Sequence, residues 1–300
     1  MILSKDEIEL SQKDFKSLAR SISLIENEAT GFEEILFNLK SSSSKIIGIT
    51  GAPGAGKSSL VDALIGEIIR DKKKAGVLCV DPSSPFNKGA LLGDRIRMSE
   101  WYNHPDVFIR SLASKGSLGG LHPKIIEISD VMKSAGFDYV IIETVGVGQS
   151  EVDIAALADI TIVMLVPEGG DSIQTMKAGV MEVADIFVIN KFDRPCAETF
   201  YNSLKQMLAP VFNKTAKQIP VIKTVASQKT GIAELYKKIN DWQFNDLSEQ
   251  KINLITEKIW TLIQNEKMKN FDKEKMKMEI SKASSNPDFN IYSFAKKYAE

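Results

Sequence analysis

The sequence predicts an α/β protein: a doubly wound, mostly parallel sheet of about seven strands, with helical extensions at its amino and carboxyl ends. Continuous apolar runs alternate with helical patterns from residue 45 onward, which is typical of parallel strands covered by helices on both faces. A glycine-rich loop follows the first of these strands, and strand signals stop after Trp242. We therefore divide the chain into a helical segment at 1–44, a sheet domain at 45–241 and a helical arm at 242–300.

Each element has its own pattern. Residues 5–40 predict helices because apolar side chains recur at helical spacing, for example at Leu18, Ile22 and Ile25. Four serines at 41–44 then predict a polar hinge. The predicted strands, in chain order, cover 45–50, 77–81, 107–112, 139–144, 160–166, 186–191 and 221–225.

The C-terminal arm carries one apolar stripe. Ile252, Ile255, Ile259 and Ile263 fall on one face of a helix whose other positions are rich in Lys and Glu. Two interpretations stay open: a helix packed on its own domain, or an arm for a partner or a second copy of the chain.

The composition excludes several classes. With 38 basic and 39 acidic side chains the net charge is −1, which gives no electrostatic reason to expect nucleic acid or an anionic membrane as a partner. The longest apolar run, at 154–166, is too short to cross a bilayer. The acidic N-terminus argues against a mitochondrial transit peptide, so we expect a cytoplasmic protein. Two cysteines and two histidines without ligand spacing do not predict a transition-metal site.

The sequence "GAPGAGKS" fits the phosphate-binding loop, or P-loop, pattern G-x-x-x-x-G-K-[ST]. It lies between a predicted strand and a predicted helix, where backbone N–H groups and the helix N-terminus favour phosphate. We expect Lys57 to neutralise the β- and γ-phosphates and Ser58 to offer its hydroxyl to Mg²⁺. The residues predicted to bind here are Gly51, Ala52, Pro53, Gly54, Ala55, Gly56, Lys57, Ser58 and Ser59.

A second motif, "NKFD" at 190–193, predicts guanine as the base. The carboxylate of Asp193 can accept hydrogen bonds from N1–H and the exocyclic amine of guanine, which adenine does not offer. The sequence "VAS" follows the last strand and is expected to bring the Ala226 N–H near guanine O6. The predicted ligands are therefore GTP and GDP, and the predicted base-binding residues are Asn190, Lys191, Asp193, Val225, Ala226 and Ser227.

Three acids stand at strand ends or in glycine-rich loops on the same side of the predicted sheet: Asp81, Asp94 and Glu143. Together with Ser58 they form the predicted magnesium site, since Mg²⁺ favours oxygen ligands. Gly146 is expected to approach the γ-phosphate. The residues predicted to act in hydrolysis are Lys57, Asp94, Glu143 and Gln149; whether Gln149 orients water or only holds its loop stays open.

Several segments together resemble one family: "ITGAPGAGKSSLVDAL", "DPSSPFNKGALLGDRIRM", "FIRSLASKGSLGGL", "DYVIIETVGVGQSEVDIAALAD" and "GGDSIQTMKAGVMEVADIFVINKFD". They are similar to the methylmalonyl-CoA mutase-associated GTPases of MeaB/ArgK type, over about residues 15–240. The resemblance implies a P-loop NTPase fold and a homodimer formed through the C-terminal helices. It also implies a chaperone role toward an adenosylcobalamin-dependent acyl-CoA mutase, in which GTP gates cofactor delivery and the mutase is protected or reactivated.

The resemblance further implies a partner-sensing switch with Asp171 and Lys177 in its key positions. Glu168 and Lys115 depart from the residues usual in the family, which affects only what is expected of coupling to the mutase. Which mutase is served, and whether cobalamin is contacted directly, stay open. The alternatives are a metallochaperone-type GTPase, a P-loop small-molecule kinase and a GTP-binding protein without turnover.

Overall fold

The structure is a computed structural model that describes residues 15–81, 98–114, 121–146, 150–167, 183–215, 219–242, 249–268, 271–284 and 289–299. The chain divides into two compact units, Met1–Asn245 and Asp246–Glu300. The first unit holds the sheet and the predicted site.

The sheet of the first unit has seven strands in the spatial order β3-β2-β4-β1-β5-β6-β7. All seven predicted strands are confirmed, and every neighbouring pair of them is parallel. The strands are β1 Lys45–Gly51, β2 Ala75–Asp81, β3 Val107–Ala113, β4 Tyr139–Glu143, β5 Ile160–Leu165, β6 Ile186–Ile189 and β7 Val221–Lys223.

Helices cover both faces of the sheet, as the continuous apolar strands require. The helices of this unit are α1 Phe15–Glu26, α2 Phe32–Phe37, α3 Lys57–Arg70, α4 Ile125–Ser134, α5 Ser150–Leu157, α6 Ala197–Thr215 and α7 Ile232–Asn240. Buried side chains of α3 and α7 pack with one face of the strands. Those of α1, α4, α5 and α6 pack with the other face.

The order of the strands in the sheet determines where the predicted site lies. From β1 the chain moves to β2 and β3 on one side, and after β4 it crosses to β5 on the other side of β1. Loops that leave β1 and β4 therefore meet at the carboxyl ends of two neighbouring strands, which is where open α/β sheets bind ligands.

The predicted N-terminal helix is part of the core. Leu18, Ile22 and Ile25 of α1 are buried, in agreement with their helical spacing, and they join the same apolar cluster as strands β2 and β4. The guanidinium of Arg110 on β3 forms an ion pair with Glu26 at the end of α1.

The second unit is helical, with α8 Glu249–Met268, α9 Lys273–Ala283 and α10 Ile291–Ala299. The four isoleucines of the predicted stripe lie on α8, and their side chains are 46–51% exposed. None of the helices that the structure describes combines the length and the apolar composition of a membrane-spanning segment.

Candidate nucleotide site

The P-loop lies between β1 and α3, as predicted. Gly51, Gly54 and Gly56 have φ values of 147°, 78° and 95°, in the region that glycine adopts without strain. A Cβ on Gly56 would lie 2.5 Å from Nδ2 of Asn190. The loop therefore needs glycine there both for its turn and for the close approach of the neighbouring loop.

The side chain of Lys57 is buried and turned back over the loop. Its Nζ donates hydrogen bonds to the carbonyl oxygens of Gly51 at 2.9 Å and Ala52 at 3.3 Å. It also lies 3.5 Å from the carbonyl oxygen of Val145, just after β4. A buried ammonium held at the mouth of a phosphate loop can neutralise the phosphate charge that enters there.

Ser58 and Glu143 meet at the start of α3. The hydroxyl of Ser58 donates to Oε1 of Glu143 at 2.7 Å, and both side chains are buried. Asp81, also buried, ends β2, the strand beside β4; Cys79 is the β2 residue in register with Glu143. The two predicted carboxylates therefore stand at the ends of adjacent strands, and that of Glu143 contacts the P-loop.

These oxygen donors fit Mg²⁺. A serine hydroxyl and carboxylates are the hard ligands that this ion prefers, and it retains several waters when it binds. No group of three or more His, Cys, Asp or Glu side chains forms a metal cage among the residues the structure describes. A metal held here would take its remaining ligands from phosphate and water.

Gly146 packs directly on the P-loop. Its φ is 82°, and a Cβ at this position would collide with the carbonyl oxygen of Gly51 and come within 2.7 Å of Lys57 Nζ. Thr144, two residues earlier, donates its hydroxyl to that of Thr50 at 2.9 Å, and both threonines are buried. The loop after β4 thus packs closely on the start of the P-loop at Gly51, and the two threonine hydroxyls join it to the end of β1.

Asn190 joins three loops through one buried amide. Nδ2 donates to the carbonyl oxygen of Ala55 at 2.8 Å. Oδ1 accepts from the Thr224 hydroxyl at 3.2 Å and from the Ala226 N–H at 2.9 Å. The Ala226 N–H, which the sequence predicts to lie near guanine O6, therefore donates to Oδ1 of Asn190 in this structure.

The remaining residues predicted to bind the base differ in exposure. Asp193 and Ser227 are exposed, whereas Val225 and Ala226 are buried. Lys191 has a φ of 54°, a conformation rare for a residue with a side chain. Contact with guanine stays a prediction for all six residues.

Other predicted positions lie outside the described residues: Asp94, Lys115, Gln149, Glu168, Asp171 and Lys177. Sequence reasoning missed the Thr50–Thr144 hydrogen bond and the contacts of Lys223 with Phe192, Tyr201 and Glu198, because a motif specifies residue types and not which side chains meet. A buried-strand threonine directly after Glu143 was the available signal for the first.

A polar cluster at the opposite end of the strands is not a rival site. Lys73 pairs with Asp71 at 2.8 Å, and this hydrogen bond raises the pKa of Lys73. Burial raises the pKa of Tyr236 to about 12. Because both groups keep their ordinary protonation at neutral pH, the cluster does not supply a general acid or base there.

A parallel sheet ordered around β1, with a P-loop lysine and carboxylates at its carboxyl edge, defines a P-loop nucleotide-binding protein. The family model for MeaB, the methylmalonyl Co-A mutase-associated GTPase, matches residues 18–276. The chain belongs to this family and is a GTPase.

Individual proteins are similar to this chain over most of its length. The GTPase ArgK of Escherichia coli is 36% identical over 246 residues, which are 78% of this chain and 74% of that protein. A fused isobutyryl-CoA mutase of Geobacillus kaustophilus is 38% identical over 239 residues, which are 74% of this chain and 22% of that protein. A solved structure described as a LAO/AO transport system kinase is 25% identical with a TM-score of 0.65, covering 100% of this chain and 98% of that one.

Proposed function

We propose that this protein is a Mg²⁺-dependent GTPase that acts as chaperone of an adenosylcobalamin-dependent acyl-CoA mutase in the cytoplasm. GTP would gate delivery of the cofactor and support protection or reactivation of the mutase, with methylmalonyl-CoA mutase as the first candidate. The observation that carries the proposal is the fused relative, in which a region similar to this chain belongs to one polypeptide with an isobutyryl-CoA mutase. Fusion of two proteins raises their effective concentration, which is useful only if they work together.

The described residues support specific roles in hydrolysis. Lys57, now bonded to loop carbonyls, would neutralise charge on the β- and γ-phosphates as it develops. Glu143 orients the Ser58 hydroxyl by accepting its hydrogen bond, which turns the lone pairs of the Ser58 oxygen away from Glu143, as a serine that coordinates a cation requires. Mg²⁺, when held by Ser58, Glu143 and Asp81, would supply positive charge beside the phosphates. The same metal role for Asp94 and a water-orienting role for Gln149 are part of the proposal.

Release of phosphate from GTP alone tests hydrolysis against the kinase alternative. The full chain, incubated with GTP and Mg²⁺ and without any acceptor, is expected to release phosphate slowly but measurably. Lys57→Ala should abolish the release, because it removes the positive charge at the loop mouth. Release that requires an added acceptor would favour a small-molecule kinase, and release unchanged in Lys57→Ala would place the activity elsewhere.

Capture of the mutase tests the chaperone role. The tagged full chain, loaded with a non-hydrolysable GTP analogue, is expected to retain a purified adenosylcobalamin-dependent acyl-CoA mutase. The matched sample contains GDP. Failure to retain methylmalonyl-CoA and isobutyryl-CoA mutases with either nucleotide would contradict the association.

The α8 stripe supports a homodimer. Three isoleucines of the stripe, Ile252, Ile255 and Ile259, repeat at intervals of three and four residues, the spacing of a coiled-coil seam. The neighbouring Leu262 continues this spacing, and all four side chains are more than 45% exposed. Sedimentation of the full chain is expected to give a dimer that Ile259→Lys dissociates. Asn253→Lys, which adds the same charge on another face of α8, is the control. A monomeric wild-type chain would contradict this part of the proposal.

A further inference from the structure

The loop that carries Asp193 is held in a conformation that side chains seldom adopt. Lys191 has a φ of 54° and Cys196 a φ of 66°, so left-handed residues stand at both ends of the segment 191–196. Such residues persist only where surrounding contacts determine their conformation. The loop therefore depends on contacts with the residues around it.

Three side chains outside the loop, those of Glu198, Tyr201 and Lys223, form a cluster with the side chain of Phe192 in the loop. We call this cluster the loop clamp. Nζ of Lys223 lies 4.6 Å from the centroid of the Phe192 ring and 4.1 Å from that of Tyr201. It also donates to both carboxylate oxygens of Glu198, at 3.0 and 2.9 Å. The two rings meet edge to face with centroids 6.3 Å apart.

These contacts join three elements. Lys223 ends β7, Glu198 lies in the first turn of α6, and Phe192 lies in the loop itself. An ammonium over an aromatic face is attracted by the electrons of the ring, so Lys223 holds the Phe192 ring against Tyr201. Part of the loop backbone is fixed too, because the Phe192 N–H donates to the carbonyl oxygen of Thr224 at 3.0 Å.

The clamp acts on the residue directly before Asp193. A carboxylate that accepts two hydrogen bonds from one base must be placed within about half an ångström. Asp193 is itself exposed, so its position depends on the backbone of Phe192 rather than on burial.

We propose that Lys223 is a positioning residue for recognition of the base. Its ammonium, held by Glu198, fixes Phe192 and thereby places the carboxylate of Asp193 where it bonds both N–H groups of guanine. This inference rests on the proposed role of Asp193 in reading guanine. The side chains of Lys223 and Glu198 are 36% and 63% exposed, so solvent weakens the ion pair and the ring contacts carry much of the effect.

Binding of GDP and IDP tests the inference without any dependence on hydrolysis. The inosine base lacks the exocyclic amine, so the ratio of the Kd for IDP to the Kd for GDP reports the hydrogen bonding of Asp193. Both affinities are measured by displacement of a fluorescent GDP analogue from the full chain in Mg²⁺ buffer. The wild-type ratio is expected to be at least about ten.

Lys223→Met keeps most of the aliphatic stem and removes the charge. It is expected to lower the IDP-to-GDP ratio by about threefold to tenfold, mainly by weakening GDP. Lys223→Arg should keep the IDP-to-GDP ratio near that of the wild type, since a guanidinium also bonds a carboxylate and stacks on aromatic rings. Lys205→Met is the matched control: its Nζ lies 5.0 Å from the Tyr201 centroid, on the same ring but with no part in the Phe192 contact.

Two outcomes would overturn the inference: an unchanged ratio in Lys223→Met, including the case in which GDP and IDP weaken equally, or the same fall of the ratio in Lys205→Met. Glu198→Gln provides a second variant, and its ratio should fall in the same direction. A wild-type ratio near one would instead contradict the reading of guanine by Asp193. Failure of the proposed function is therefore distinguishable from failure of the clamp.

Discussion

Asn190 and Asp193 belong to one four-residue motif, but the structure gives them opposite physical roles. The amide of Asn190 is buried and makes three hydrogen bonds inside the protein, whereas Asp193 is exposed. We predict that Asn190→Ala destabilises the fold and that Asp193→Ala does not. Both variants should weaken nucleotide binding, so binding alone does not separate these roles.

The expected loss follows from the partners that the substitution leaves behind. The Ala55 carbonyl, the Thr224 hydroxyl and the Ala226 N–H would each lose a hydrogen bond, at about 1–2 kcal/mol for each buried group. The summed loss for the three groups is roughly 3–5 kcal/mol; the upper bound of about 6 kcal/mol is reduced because water can reach the surface side of the loops. For a unit of this size, each kcal/mol lowers Tm by about 2–4 °C. A fall of about 10 °C is therefore expected for Asn190→Ala.

Thermal unfolding of the full chain in nucleotide-free buffer measures this difference, because bound nucleotide would itself raise Tm. Asp193→Ala should stay within about 2 °C of the wild type, as surface substitutions usually do. If Asn190→Ala unfolds at the same temperature as Asp193→Ala, the structural role assigned to the amide is wrong. If the Tm of both variants falls by about 10 °C, Asp193 makes stabilising contacts that an exposed side chain would not make.

Three further predictions concern the loops around the phosphates and the base. Gly146→Ala should slow GTP hydrolysis at least about tenfold, because a Cβ at φ 82° costs about 1–2 kcal/mol and collides with the carbonyl oxygen of Gly51. An unchanged kcat would refute the close approach of Gly146 to Gly51. Asp193→Asn should shift preference from GTP toward xanthosine triphosphate, measured as the ratio of kcat/KM; retained GTP preference would contradict the base assignment. Thr144→Val should lower Tm by about 2–6 °C by leaving the buried Thr50 hydroxyl without its donor, and the double valine variant should recover part of the loss.

The sheet could be predicted from sequence because each strand is a continuous apolar run between turn or helix signals. The order of those strands in space was not needed to find the P-loop, whose glycines and lysine stand together in the chain. Asp81 and Glu143 could be predicted to stand on the same side of the sheet because parallel strands end at the same edge, whereas the adjacency of their strands came only from the structure.

The contacts that hold the site together could not be predicted. Asn190 bonds Ala55 across 135 positions, and a motif specifies the residue type without its partner. Lys223 and Glu198 are 25 positions apart and resemble any other exposed charged residues in the sequence. The apolar spacing of Leu18, Ile22 and Ile25 predicted a helix, but not that the helix would join the core of the sheet.

The rate of GTP hydrolysis in the presence of a mutase tests the central claim most directly. Phosphate release by the full chain is measured with Mg²⁺, alone and with a saturating adenosylcobalamin-dependent acyl-CoA mutase. A partner that orders the loops around the γ-phosphate should accelerate hydrolysis by at least about an order of magnitude, and Lys57→Ala should remain inactive with the mutase present. Turnover unchanged by saturating methylmalonyl-CoA and isobutyryl-CoA mutases would contradict the proposed function.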